Sequence, residues 1–304
     1  MRLLDAGLAA MMSKMAEAGA PPLWAMPHAA ARAAFRIASP LAEAPAVPLA
    51  LVEDRMVAGA AGPLNARVYD PAPGTARPAL IYFHGGGFVV GDLDTHDRSC
   101  RRLAAESCIR VIAIDYRLAP EHAFPAPYED ALAAWAAIAA EPAAWGVDPA
   151  RLAVGGDSAG GNLAIAVART AAVKPAMQLL IYPWVQLVEE MPSMLAQAET
   201  ALPAMRWFRD AYLRGGADPK DARISPLLAA PAADEPPALL VTAGHDPLID
   251  EQQAYLAKLR AAGVSVDHHH YDDQIHGFVN YSAISKAAAP ALAACAARLK
   301  AALS

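Results

Sequence analysis

The alternation of short apolar runs with helical stretches is the sequence feature that most constrains the fold. Six runs have the length of strands, and several are apolar throughout, as strands buried on both faces are. They are ALIYFH (79–84), RVIAIDY (110–116), RLAVGGD (151–157), MQLLIYP (177–183), ALLVTAG (238–244) and VSVDHHHY (264–271). Helical patterns lie around residues 95–107, 128–140, 159–172, 247–262 and 283–302. This order predicts an α/β fold, with a mostly parallel central sheet flanked by helices.

Two segments fall outside this alternation. Residues 1–50 begin with two short amphipathic helices, and more than forty residues separate the strands on either side of 184–225, too many for a simple crossover. We therefore predict that 184–225 is an insertion. The remaining segments, 51–183 and 226–304, form the α/β body, which starts with a strand pair, LVEDRMVAG and LNARVYD.

Composition excludes several classes of protein. Hydrophobic residues are 56% and charged residues 18% of the 304, so the bulk of the chain is not disordered. The net charge of −6 gives no general attraction to phosphate, and nucleic acid is not expected as a partner. Cys100, Cys108 and Cys295 are too few for a disulfide framework or a zinc cluster and fit a reducing compartment.

Hydropathy also argues against a membrane protein. No uncharged apolar run reaches the roughly 18 residues that a spanning helix needs, so stable membrane insertion is not expected. Asp5, Lys14 and Glu17 interrupt the part of the N-terminus that would form the apolar segment of a signal peptide. We therefore expect a cytoplasmic protein, and its oligomeric state, a homo-oligomer included, stays open.

The pentapeptide Gly156-Asp-Ser-Ala-Gly160 is the most specific chemical signal. It follows a predicted strand and opens a predicted helix, which is the context of a nucleophile elbow. The tight turn exposes the hydroxyl of Ser158, and the flanking glycines let the turn close without Cβ clashes. An ordinary helix cap is the alternative, but the strand–turn–helix context favours a nucleophile.

His84-Gly-Gly-Gly-Phe88 follows an earlier strand and frees a stretch of backbone N–H groups. Attack of a serine on a carbonyl places negative charge on oxygen, and N–H donors aimed at that oxygen stabilise it. Gly86 and Gly87 are the candidate donors. The glycines match neither a dinucleotide-binding nor a Walker pattern.

A serine nucleophile needs a base and an acid that orients it, and in an α/β hydrolase both follow the serine in the chain. His276 lies in a loop after the last predicted strand, whereas His268, His269 and His270 lie within that strand and His245 ends an earlier one. Neighbouring strand residues point to opposite faces, which argues against the triplet as a metal site.

Three acids compete for the orienting role. Asp246 follows a strand directly, at the edge of the sheet where ligands of α/β proteins bind. Asp250 and Glu251 begin a helix, where negative charge is favourable because it complements the helix dipole. We predict that Asp246 orients His276.

The order HGGGF, GDSAGG, DPLID and HGF resembles the bacterial esterases of the hormone-sensitive lipase family, which have the α/β-hydrolase fold. The resemblance extends over residues 50–285 and includes the stretch DYRLAPEH at 115–122. It implies a serine carboxylesterase acting on short- to medium-chain acyl esters of small molecules, with Ser158, Asp246 and His276 as the triad. The oxyanion hole would consist of Gly86, Gly87 and Ala159, and no cofactor or metal would be needed.

The resemblance also implies a helical cap made of residues 1–50 and 184–225. The alternative from another class is a non-catalytic receptor for a small molecule on the same fold. A receptor of this family looks to have lost the catalytic histidine, whereas His276 is present here. Lipase, lactonase or amidase specificity is the alternative within the enzyme class.

Overall fold

Eight strands form one sheet in the order β1-β2-β4-β3-β5-β6-β7-β8 in the computed structural model, which describes residues 3–19 and 21–304. The strands are β1 (Leu51–Gly59), β2 (Gly62–Asp70), β3 (Arg77–Phe83), β4 (Arg110–Asp115), β5 (Val147–Asp157), β6 (Met177–Ile181), β7 (Ala238–His245) and β8 (Val266–Ile275). β1 and β2 form the predicted antiparallel pair, β2 is antiparallel to β4, and the other neighbouring strands are parallel. The predicted α/β fold is confirmed.

Helices cover both faces of the sheet. They are α1 (Ala6–Ala18), α2 (His28–Ala42), α3 (Asp97–Ser107), α4 (Ala126–Ala140), α5 (Pro142–Trp145), α6 (Ala159–Thr170), α7 (Pro192–Leu195), α8 (Leu202–Tyr212), α9 (Ile249–Ala261) and α10 (Ala288–Ala302). Buried side chains of α4, α6 and α9 form one core with the sheet, and those of α3 and α10 form the other. Residues 1–2 and 20, part of the predicted N-terminal cap segment, lie outside the described residues.

The starts of β5 and α10 are among the boundaries that differ from the sequence-based expectation. β5 starts at Val147 because that residue pairs with Arg77 of β3 ahead of a register shift. α10 starts at Ala288 rather than near residue 283, since the hydroxyl of Ser285 accepts from the backbone N–H of Ala287 and donates to Gln274 Oε1. The buried hydrogen bond from Ser285 to Gln274 thus ties the segment before α10 to the end of β8.

α7 and α8 occupy the predicted insertion between β6 and β7. The ring of His28, at the start of α2, stacks on that of Trp207 in α8 with 4.8 Å between centroids. Arg32 of α2 donates to the carbonyl oxygens of Val89 and Ala119, at 2.8 and 2.7 Å. The N-terminal segment therefore contacts both the insertion and the loop after β3. Among the described helices, none has both the length and the apolar character to cross a bilayer.

Candidate active site

Ser158 lies in the turn between β5 and α6 with φ of 55°, a conformation that is costly for any residue with a Cβ. The flanking glycines make the turn possible: a Cβ on Gly156 would lie 2.4 Å from the backbone of Gly160, and one on Gly160 would lie 1.9 Å from the carbonyl oxygen of Phe83. The Ser158 N–H donates to the carbonyl of Ile181 in β6 at 2.9 Å. The sheet thus fixes the backbone that presents this hydroxyl.

The structure brings Ser158, His276 and Asp246 together from three places in the chain. His276 Nε2 lies 2.8 Å from Ser158 Oγ, and His276 Nδ1 lies 2.8 Å from Asp246 Oδ2. A carboxylate only accepts, so Nδ1 carries the proton and Nε2 is left to accept from the serine hydroxyl. Asp246 is buried, and its Oδ1 accepts from the backbone N–H of Leu248 at 2.7 Å. The arrangement can remove a proton from Ser158.

The environment of His276 raises the pKa of its imidazole above the usual 6.5. Burial favours the neutral ring, but the charge and the hydrogen bond of Asp246, together with the charge of Asp157, favour the imidazolium and outweigh it. Such a base accepts a proton readily while an acidic partner holds its orientation.

The glycine loop after β3 supplies free donors next to this constellation. Among the described residues, the N–H groups of Gly86 and Gly87 donate to no protein group. Ala159 is the first residue of α6, where helix geometry leaves the N–H without an intrahelical partner. A Cβ on Gly87 would lie 2.2 Å from Phe208 Cγ, so the ring of this α8 residue lies directly on the loop. The loop has donors that can stabilise negative charge on an oxygen.

Asp157 is a residue of the site whose role the sequence analysis missed. Its buried carboxylate accepts from the Gly85 N–H at 3.0 Å and from Tyr82 Oη at 2.8 Å, and His96 Nε2 lies 3.4 Å away. Although burial opposes ionisation, His96 and the Tyr82 hydrogen bond hold the pKa of Asp157 below its usual value. An acid ending an otherwise apolar strand was the available signal, because a buried charge needs partners. Asp157 directly precedes Ser158 in the chain, so its hydrogen bond to Gly85 ties the glycine loop to the nucleophile turn.

The competing acids have other partners. Asp250 Oδ2 accepts from the backbone N–H of Ser193 in α7 at 2.8 Å. Glu251 is buried and accepts from the backbone N–H groups of Val185 and Gln186 at 2.8 and 3.3 Å, and burial raises its pKa to about 8. Both tie α9 to the segment after β6, and neither is the carboxylate that His276 contacts.

The histidine that contacts Ser158 is His276, and the competing histidines lie within β7 and β8. His268 Nε2 and His270 Nδ1 both lie 2.8 Å from the Thr242 hydroxyl of β7. His245 ends β7 and pairs with Ile275. Within residues 3–19 and 21–304, no group of three or more His, Cys, Asp or Glu side chains is arranged to hold a metal ion.

Known proteins match the chain along most of its length. The model of the α/β-hydrolase fold family matches residues 80–280. The carboxylic ester hydrolase LipN of Mycobacterium tuberculosis is 45% identical over 75% of this chain and 64% of its own length, so the chain spans just under two thirds of that relative. Esterase LipI of the same organism is 40% identical over 81% of both chains. An α/β-hydrolase enzyme from the metagenome of Lake Arreo, Spain, superposes with a TM-score of 0.93 at 41% identity, covering 99% of this chain and 98% of its own.

Proposed function

The chain belongs to the α/β-hydrolase fold family, within the carboxylesterases of the hormone-sensitive lipase type, and from this premise we propose that it hydrolyses carboxylic esters through an acyl-enzyme on Ser158. The observation that carries the proposal is the pair of 2.8 Å contacts that links Ser158, His276 and Asp246. The same contacts favour catalysis over a binding-only receptor, because a receptor has no need of a base on the serine.

In the proposed reaction, His276 Nε2 takes the proton of Ser158 as Oγ bonds to the ester carbonyl carbon. Asp246 holds the Nδ1–H and stabilises the imidazolium. The N–H groups of Gly86, Gly87 and Ala159 stabilise the oxyanion. His276 then gives the proton to the leaving alcohol. In the second half, water attacks the acyl-enzyme, His276 takes a proton from it, and this proton returns to Ser158 as the acid leaves.

A burst experiment tests the acyl-enzyme. An activated ester such as p-nitrophenyl butyrate should release p-nitrophenol in a fast phase close to one equivalent per protein whenever deacylation is the slower step. Rapid acid quenching and mass spectrometry should then find the butyryl group on the peptide that contains Ser158. The proposal is contradicted if the butyryl group is found on a residue other than Ser158 during steady turnover. It is also contradicted if a burst occurs and no acylated peptide is trapped.

We assign residues 1–50 and 184–225 to a cap over a hydrolase body formed by 51–183 and 226–304. Support comes from the stacking of His28 on Trp207 and from the position of Phe208 against Gly87, which bring both cap segments to the glycine loop. A covered pocket is the expected consequence.

The cap leads to a prediction about acyl-chain length. Each acyl methylene buried in an apolar pocket contributes about 0.8 kcal/mol until the pocket is full, and further methylenes must clash or protrude into water. With p-nitrophenyl esters, kcat/KM should therefore rise from acetate and peak at about four to eight carbons. A peak at sixteen carbons, or a jump in rate at the solubility limit of the substrate, would show a true lipase instead.

Removal of metal ions should leave the activity unchanged. The proposed steps take their base from His276 and their electrophilic stabilisation from backbone N–H groups, so no step requires a metal. Activity on p-nitrophenyl butyrate is measured before and after dialysis against EDTA, with a zinc hydrolase treated in parallel as the positive control. Loss of activity that zinc or another divalent ion restores would overturn this part of the mechanism.

The cellular location and the class of partner are part of the same proposal. Cys100, Cys108 and Cys295 are free thiols, which supports a cytoplasmic location. The net charge of −6 supports a small-molecule ester, rather than nucleic acid, as the partner.

A further inference from the structure

Gln252, in the first turns of α9, contacts the acid of the site. Its side chain is buried, and Nε2 donates to Asp246 Oδ2 at 3.1 Å. This is the oxygen that lies 2.8 Å from His276 Nδ1, so the two donors share one acceptor atom. Because the carboxylate only accepts, the amide atom that faces it must be the nitrogen.

The rest of the Gln252 amide is poorly satisfied. Its Oε1 is buried and has no hydrogen-bond partner among the described residues. A buried acceptor without a partner is destabilising, so an apolar side chain of the same shape would suit packing better. The contact with Asp246 is the interaction that distinguishes glutamine from such a side chain at this position.

We propose that Gln252 is a positioning residue that weakens Asp246 as an acceptor for His276, and so sets the pH at which His276 becomes able to deprotonate Ser158. The proposal rests on the proposed function, since it assigns His276 as the base.

The direction of the expected pKa shift follows from the oxygen of Asp246 that Gln252 and His276 share. A hydrogen bond from Gln252 stabilises the negative charge of Asp246 and leaves less electron density for the His276 N–H. Without that bond, Asp246 stabilises the imidazolium more strongly relative to the neutral ring. The pKa of His276 should then rise, and the base should stay protonated to a higher pH.

Other titratable groups also face the pair. Asp157, at the end of β5, adds its charge to that of Asp246 at His276. The charge of Asp246 contributes to the raised pKa of Glu251. The ring centroid of Tyr182, after β6, lies 4.7 Å from that of His276. All three stay the same in every variant proposed below, so they cancel when variants are compared.

The test compares Gln252→Met with Gln253→Met. Gln253 is the exposed neighbour on the same helix and serves as the matched control. The acid limb of kcat/KM reports the pKa of the base in the free enzyme. In Q252M the acid limb should move to higher pH by about half a unit, as expected for the loss of one hydrogen bond to a carboxylate that keeps its other donors. In Q253M the acid limb should coincide with that of the unaltered protein. Gln252→Leu provides a second removal of the amide should Q252M fold poorly.

A second measurement is independent of turnover. The ring protons of His276, followed by NMR against pH in the free protein, should show the same upward shift in Q252M and none in Q253M. The inference would be overturned if folded Q252M and Q253M had the same acid limb and the same His276 ring titration. It would also be overturned if the pKa of His276 were lower in Q252M than in the unaltered protein. Failure of the proposed function looks different, because Ser158→Ala would then retain activity whatever the Gln252 variants show.

Discussion

Ser158→Ala should lose nearly all esterase activity, with kcat falling on the order of 10⁶-fold, as deletion of a triad nucleophile does in a subtilisin. The substitution removes the atom that lies 2.8 Å from His276 Nε2 and leaves the imidazole with nothing to deprotonate. The backbone turn should survive, because alanine adds no atoms to those of serine and the glycines on both sides are unchanged.

The measurement is kcat with p-nitrophenyl butyrate on purified variant protein, with circular dichroism to check the fold. An organophosphate gives the complementary result: it should label Ser158 in the unaltered protein and leave the S158A protein unlabelled. Retention of more than a few per cent of the activity, once contamination by another esterase is excluded, would remove Ser158 from the proposed mechanism.

Asp246→Asn should lower kcat by about 10⁴-fold, the size of effect seen when the acid of a serine protease triad is amidated. The amide can donate to His276 Nδ1, which moves the ring proton to Nε2 and leaves no lone pair to accept from Ser158. The backbone N–H of Leu248 donates to the other carboxylate oxygen, Oδ1, so the asparagine oxygen should stay at that position and the amide nitrogen should face the ring. The loss should therefore appear in kcat and kcat/KM alike.

Asp250→Asn is the matched control for this experiment. Asp250 lies four residues away in the chain and has the same chemistry, but it accepts from the Ser193 N–H, which an asparagine oxygen can still receive. We expect Asp250→Asn to keep activity within about an order of magnitude, the size of effect that the loss of one surface charge can have. The opposite ranking in folded proteins would mean that the orienting acid has been misassigned.

Several features of this protein could be derived from local sequence alone. Several of the six runs are apolar throughout, as parallel strands buried on both faces are, and each of the six runs overlaps a strand of the sheet. The elbow at Ser158 was predictable because the close backbone approach at Gly156 and Gly160 leaves no room for a Cβ, which demands glycine at these fixed offsets. These requirements depend on residues within a few positions of one another.

Other features depend on how the elements pack in three dimensions. Gln252 and Asp246 are only six positions apart, but their hydrogen bond depends on how α9 is placed after the end of β7, which no local pattern indicates. The role of Asp157 likewise needs the glycine loop, Tyr82 and His96 to converge on one carboxylate.

The α/β fold, the nucleophile elbow, the glycine loop and the chain order of the candidate residues follow from local patterns in the chain. The partners of those residues follow from how the strands and helices assemble. Ser158 and His276 are 118 positions apart, and their 2.8 Å contact exists because β5 and β8 lie in one sheet whose carboxyl ends share an edge. Periodicity and turn chemistry act over a few residues, whereas hydrogen-bond partners are set by strand register and by the packing of helices on the sheet.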